Sequence, residues 1–139
     1  MSTKPPCTPR PCKPPFSSSE PPFSSSKPPF TPRFHAFEIA LEIARSLRGL
    51  VAAVRKHDGS LADQLRRAAS SVALNIAEGN RRRGRDRLHH FRIAAGSADE
   101  VAAALRIAEA WGYLSSREIA ATLALVDRQL AVLYRLSEG

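Results

Sequence analysis

Residues 115–133 read SSREIAATLALVDRQLAVL, and this stretch decides the fold. Ser115 and Glu118 stand three positions apart in a capping box, in which each side chain accepts a hydrogen bond from the other residue's free backbone N–H at a helix start. The apolar residues that follow recur at spacings of four, three, four and three: Ile119, Leu123, Val126, Leu130 and Leu133. Such a seam is typical of left-handed helix bundles. The stretch therefore predicts a helix over 116–137 that packs along one face.

Three more helices are predicted before this one. Gly112 ends the third helix, Ser60 caps the second, and Gly79 supplies the left-handed residue that ends many helices. Thr31 caps the first helix, with Pro32 at its first position, where the missing N–H costs nothing. The predicted bounds of these helices are 32–56, 60–78 and 85–111.

The connections between the predicted helices are short, and short connections between long helices favour antiparallel neighbours. In the first helix, one apolar stripe recurs at spacings of three and four: Phe37, Ala40, Leu41, Ala44, Leu47, Val51 and Val54. Strand signals are absent from the sequence. The predicted fold is all-α, an antiparallel up-down four-helix bundle over 32–139 behind a disordered, proline-rich N-terminal tail over 1–31.

The tail is distinguished by its composition, since all 11 prolines of the chain lie within it or at its junction with the first helix. The sequence Pro-Pro-Phe-Ser-Ser-Ser begins at Pro14 and again at Pro21, and Pro-Pro-Phe recurs at Pro28. Such a segment buries too little apolar surface to offset its ordering entropy. It is interpreted either as a polyproline II ligand for an aromatic groove or as a dispensable extension, and the second interpretation is preferred.

The chain carries a formal net charge of +8, half of it at or before Arg33. This excess favours polyanionic partners and says nothing about the fold. The two cysteines, Cys7 and Cys12, do not form a disulfide framework, and no apolar run reaches the length of a membrane span. We therefore expect a cytoplasmic protein without a membrane partner.

Catalytic and metal-binding patterns are not found in the sequence. Di-iron bundles use Glu-x-x-His pairs, and none of the glutamates in the predicted helices has a histidine three positions later. His89 and His90 are adjacent, so they point about 100° apart on a helix and cannot easily share a metal. The expectation is a non-enzymatic protein with no metal and no cofactor.

The strongest polar feature is a group of six arginines around the start of the third predicted helix: Arg81, Arg82, Arg83, Arg85, Arg87 and Arg92. Arginine recognises phosphate through a planar fork of donors, and a helix start offers free N–H groups to anions. Arg66 and Arg67 are candidate extensions of this patch. The favoured interpretation is binding to the phosphate backbone of RNA or DNA. The alternative is a solvated loop with ion pairs to Glu78 and Asp86.

Four other residues are predicted to have structural roles. Asn75 is a candidate buried polar group that fixes helix register, and Glu78 is a candidate anchor for a neighbouring arginine. Gly79 is the predicted helix terminator. Gly96 lies within the third helix, where glycine costs about 1 kcal/mol relative to alanine. We expect close approach of another helix at Gly96, from the same subunit or a second one.

Four motifs resemble the bacterial four-helix-bundle protein family, whose members include proteins encoded in intervening sequences of 23S rRNA genes. They are Asp63–Ala69, Asn75–Gly79, Ile93–Ser97 and Trp111–Leu114, and the similarity spans about 34–136. The resemblance implies an up-down bundle that forms a homopentamer, with no known catalysis. The accessory protein of diversity-generating retroelements is a similar bundle, which implies nucleic-acid binding or, alternatively, a protein–protein scaffold or accessory subunit for a partner such as a reverse transcriptase.

Overall fold

The computed structural model describes residues 2–3 and 32–138, with side chains from Phe34 onward in the helical part. The predicted disorder of the proline-rich tail concerns residues outside this described part, apart from residues 2 and 3. Within the described part, four helices form the fold. They are α1 (Pro32–Arg55), α2 (Gly59–Arg81), α3 (Gly84–Ala110) and α4 (Ser116–Glu138).

The topology is up-down. Each helix packs against the next one in the chain, and α4 packs against α1 to close the bundle. The links are three, two and five residues long, so consecutive helices run antiparallel. The predicted all-α four-helix bundle is confirmed.

The core lies along the axis of the bundle. In α2 one apolar stripe at helical spacing is wholly buried: Leu61, Leu65, Ala68, Ala69, Val72 and Ile76. In α1 the predicted stripe was partly wrong, because Ile39 and Ile43 are buried whereas Ala44 is exposed. Apolar residues cover a wide arc of α1, so spacing alone allowed two stripes. Ala44 and Val51 lie on the flank of this arc, in the groove beside α2.

Both predicted termini of α2 were wrong. The N-cap is Asp58, whose Oδ1 accepts a hydrogen bond from the Leu61 N–H at 2.9 Å, rather than Ser60. Gly79 is a buried helical residue, and α2 continues to Arg81. The left-handed glycine at this corner is Gly84, with φ +58°, at the start of α3. The connection therefore shrinks to Arg82 and Arg83.

Gly79 is small for a packing reason. A Cβ atom built there would lie 2.8 Å from Cε1 and 3.0 Å from Cδ1 of Phe91, which is fully buried in α3. The glycine thus lets the Phe91 ring lie directly against the α2 backbone.

The caps at the other end of the bundle agree with the sequence. The Ser115 N–H donates to Glu118 Oε2 at 2.7 Å, and the Glu118 N–H donates to Ser115 Oγ at 3.3 Å. Gly112 has φ +78°, and its N–H donates to the Glu109 carbonyl at 2.9 Å just after α3 ends. The predicted capping box at the start of α4 and the predicted glycine at the end of α3 are therefore confirmed.

Two polar side chains of α4 are buried in the core. Thr122 shares a hydrogen bond of 2.5 Å with Ser46 of α1. Gln129 is fully buried, and neither its Oε1 nor its Nε2 has a hydrogen-bond partner among the described residues.

Candidate nucleic-acid interface

The arginine-rich connection between α2 and α3 lies at one end of the bundle. The up-down order places the start of α1 and the end of α4 at this same end. The connection has only two residues, so the arginines of the last turn of α2 and the first turn of α3 come close together. In the structure, these arginines differ in whether they are ion-paired, packed against other side chains or unpaired.

Arg82 is held by two carboxylates. Its Nε donates to Glu78 Oε1 at 2.6 Å, and its Nη1 lies 3.4 Å from Asp86 Oδ2. The hydrogen bond and the charge of Arg82 together hold the pKa of Glu78 below its ordinary value. Because Glu78 lies in α2 and Asp86 in α3, Arg82 links the two helices across the connection.

Arg87 is packed rather than presented to solvent. It is partly buried, and its guanidinium carbon lies 5.2 Å from the centre of the Phe91 ring. This is a cation–π distance. Together with Gly79, Phe91 and Arg87 form a stack from the α2 backbone to the surface of α3.

Three exposed arginines in or beside the connection differ from Arg82 because they are not ion-paired within the described part of the chain: Arg81, Arg83 and Arg85. We call them the arginine rim. None of the described residues forms an ion pair with a member of the rim. Arg83 is also the N-cap of α3, and its side chain makes no capping hydrogen bond. The first backbone N–H groups of α3 therefore lie among the rim guanidinium groups, with no side-chain cap.

The other predicted arginines lie elsewhere. Arg67 precedes Arg81 on the same helix by about 21 Å of axial rise, and Arg66 lies 4.0 Å from Asp63 at the far end of α2. Arg92 lies about 12 Å into α3, in the groove between α3 and α4. Conversely, the exposed Arg135 in the last turn of α4 shares the rim's end of the bundle, and only the topology reveals this.

Asn75 links α2 to α3 just below the rim. Its Nδ2 donates to the Ser71 carbonyl at 2.9 Å, and its Oδ1 lies 3.1 Å from Nδ1 of His90. The amide oxygen accepts a hydrogen bond from the Nδ1–H of His90, because the amide nitrogen is already donating. Sequence reasoning predicted a polar role for Asn75 but missed His90, which lies fifteen positions away in another helix.

Gly96 has no close neighbour among the described residues of other helices. A Cβ built there meets nothing within 4 Å. The expected close approach of a helix from within the same bundle was therefore wrong, and approach from a second molecule stays a prediction.

Among the described residues, six large apolar side chains are exposed, and four of them lie on the face formed by α2 and α3: Leu74, Ile93, Ile107 and Trp111. Ile93, Ile107 and Trp111 recur at intervals that keep them on one side of α3 and its end. Leu74 and Trp111 are 69% and 70% exposed. Ile93 and Ile107 are about 21 Å apart along the helix, so the four side chains are spread along this face.

Two properties of the described part concern other classes of function. Between residues 32 and 138, no three His, Asp or Glu side chains converge in a way that could hold a metal ion. Across the same residues, no helix has both the length and the apolar character needed to cross a bilayer.

Fold and site together define a small up-down four-helix bundle with a basic end. The chain belongs to the 23S rRNA-intervening sequence protein family, whose model matches residues 34–135. It is also similar to the crystal structure of a protein of unknown function from the S23 ribosomal protein family of Bacteroides thetaiotaomicron. That similarity has a TM-score of 0.69 at 18% identity and covers 75% of this chain and 99% of the other. It supports the fold alone. No curated protein matches the sequence.

Proposed function

We propose that this protein is a non-enzymatic, self-associating bundle that binds the phosphate backbone of RNA or DNA through the arginine rim. The observation that carries the proposal is the state of Arg81, Arg83 and Arg85. They are exposed, none of them forms an ion pair with a described residue, and they lie in or beside a connection of only two residues. A solvated loop whose charges were balanced locally would pair them as it pairs Arg82.

The chemistry of the rim suits phosphate. Guanidinium forks donate two parallel hydrogen bonds to phosphate oxygens, and the uncapped start of α3 adds backbone N–H donors and a favourable dipole. Such contacts position a nucleic acid without reading its sequence. We therefore expect binding that depends on salt and tolerates changes of sequence.

The test is a salt titration of duplex binding by the wild-type chain and a variant with Arg81, Arg83 and Arg85 changed to Gln. Loss of three phosphate contacts should reduce the slope of log K against log salt by about 2.7. Fluorescence anisotropy of a labelled RNA duplex gives both slopes.

The matched control removes the same charge from the opposite end of the bundle: Lys56, Arg106 and Arg117 changed to Gln. All three residues are exposed. The control should keep the wild-type slope. Equal losses in the two variants would show that net charge, rather than the rim, drives binding. A wild-type affinity that does not depend on salt would overturn the proposal.

Self-association is supported by the exposed apolar face of α2 and α3. Changing Ile107 and Trp111 to Ser should lower the mass measured by light scattering at micromolar concentration while the helical circular dichroism is retained. A wild-type chain that is monomeric under these conditions would contradict self-association. The same face would then favour the alternative of a scaffold for a different protein.

A further inference from the structure

A groove between α3 and α4 opens near the rim's end of the bundle and encloses about 630 Å³. Its floor is made of small side chains, Ala95 and Gly96 on α3 and Ala131 on α4. No described atom fills the space above Gly96, since a Cβ there would meet nothing within 4 Å. The small residues therefore leave room that the other described residues do not fill.

The wall of this groove is aromatic. Tyr134 lines it and is 63% exposed. An interaction with the nearby Glu138 side chain raises the pKa of the Tyr134 hydroxyl. A flat aromatic ring next to a shallow channel is the arrangement that proline-rich segments bind.

The charges that line the groove balance. Arg92 and Asp99 both line it on α3, and no described residue on its α4 side adds a charge to the lining. A proline-rich ligand with little net charge therefore fits this surface.

Such a ligand exists in the same chain. The segment before α1 contains Pro-Pro-Phe three times, ending at Phe16, Phe23 and Phe30. The part over 13–23 holds two copies and carries one lysine, Lys13, and one glutamate, Glu20. We propose that the Pro-Pro-Phe segment over 13–23 binds in the groove between α3 and α4, with a phenylalanine ring over Gly96 and the prolines against Tyr134.

The lengths of chain allow this placement. The segment joins the bundle at Pro32, at the same end as the groove, and α1 is a direct neighbour of α4. Phe23 lies nine residues before Pro32 and in an extended proline-rich chain spans about 28 Å, enough to cross α4. Phe30 lies only two residues before Pro32, a span of about 6 Å, so the third copy does not reach the groove.

The native cysteines provide the test. In the full chain carrying Cys7→Ser, a nitroxide on Cys12 lies next to the first copy of the motif. Its effect on the NMR relaxation of backbone amides should concentrate on Gly96 and Ala131. The groove between α1 and α2, on the opposite side of the bundle, should be spared.

Two variants and one control decide the outcome. Phe16→Ser together with Phe23→Ser should abolish the broadening at Gly96, and so should Gly96→Leu, which fills the floor. Phe30→Ser should leave it unchanged. Broadening spread equally over both grooves, or unchanged in the Phe16 and Phe23 variant, would overturn the proposal. So would a Gly96→Leu chain that changes its oligomeric mass but keeps the broadening, since a second copy would then occupy the groove.

Discussion

Gly79 and Gly96 are both helical, yet alanine should have opposite effects at the two sites. Replacing a helical glycine with alanine gains up to about 1 kcal/mol, largely because the unfolded chain loses freedom. At Gly96 no described residue opposes this gain, because none of the described atoms outside the helix's own backbone lies within 4 Å of the new methyl group. We expect Gly96→Ala to stabilise the bundle by about 0.4–1 kcal/mol.

At Gly79 the same gain is opposed by a clash. The new Cβ would lie 2.8 Å from Phe91 Cε1, 3.0 Å from Cδ1 and 3.3 Å from the His90 Cβ. The Phe91 ring cannot withdraw easily, because it is fully buried and covered by the Arg87 guanidinium. Overpacking of this kind costs about 1–3 kcal/mol. Gly79→Ala should therefore fall below Gly96→Ala in stability by about that amount.

The assay is urea unfolding followed by circular dichroism at 222 nm. All chains are compared at one concentration, because self-association adds to the apparent stability. The chains carry Phe16→Ser and Phe23→Ser, so that a bound tail segment does not contribute. A shift of the two variants in the same direction by similar amounts would refute the assigned contact between Gly79 and Phe91.

Two further predictions concern α4. Gln129→Met removes a buried amide with no partner among the described residues, so it should stabilise the bundle by about 1–3 kcal/mol in urea unfolding. Thr122→Val should destabilise the bundle, because it leaves the Ser46 hydroxyl without its hydrogen-bond partner. Two hydrogen bonds from Ser115 hold the pKa of Glu118 below its ordinary value of 4.5, so this cap stabilises the fold above that pH and is lost as pH falls through the lowered pKa. Thermal unfolding between pH 5 and pH 3 should therefore lose less stability in Glu118→Gln than in wild type, and parallel curves would contradict the cap.

The helices were predictable because local signals and packing agree in them. The capping box at Ser115 and the apolar seam of α4 point to the same helix. In α2 the core-facing apolar residues form a single stripe, so only one face of that helix can be buried. The first helix was less well defined, because Ile39 and Ile43 lie on the same broad apolar arc as Ala44. Only the positions of α2 and α4 decide which part of that arc faces the core.

The arginine cluster was visible in the sequence, and so was a signal for its division. Of Arg81, Arg82 and Arg83, only Arg82 has a carboxylate four positions away on each side, the spacing that favours ion pairs on a helix. Whether that spacing applies to Arg82 depends on how closely α2 and α3 approach it, and the two-residue connection decides this. The sequence analysis named Glu78 and Asp86 as ion-pair partners but did not assign them to Arg82.

The misassigned Gly79 is the residue that joins the fold to the candidate function. As a helix terminator it would have left a longer, looser loop below the arginines. As a helical residue it admits the Phe91 ring against α2, and Arg87 then packs over that ring. The Arg82 contacts to Glu78 and Asp86 join α2 and α3 at the same connection. The backbone that carries the rim is thus held in place by packing and ion pairs. Phosphate binding to the rim should therefore cost less conformational entropy than binding to arginines on a mobile loop.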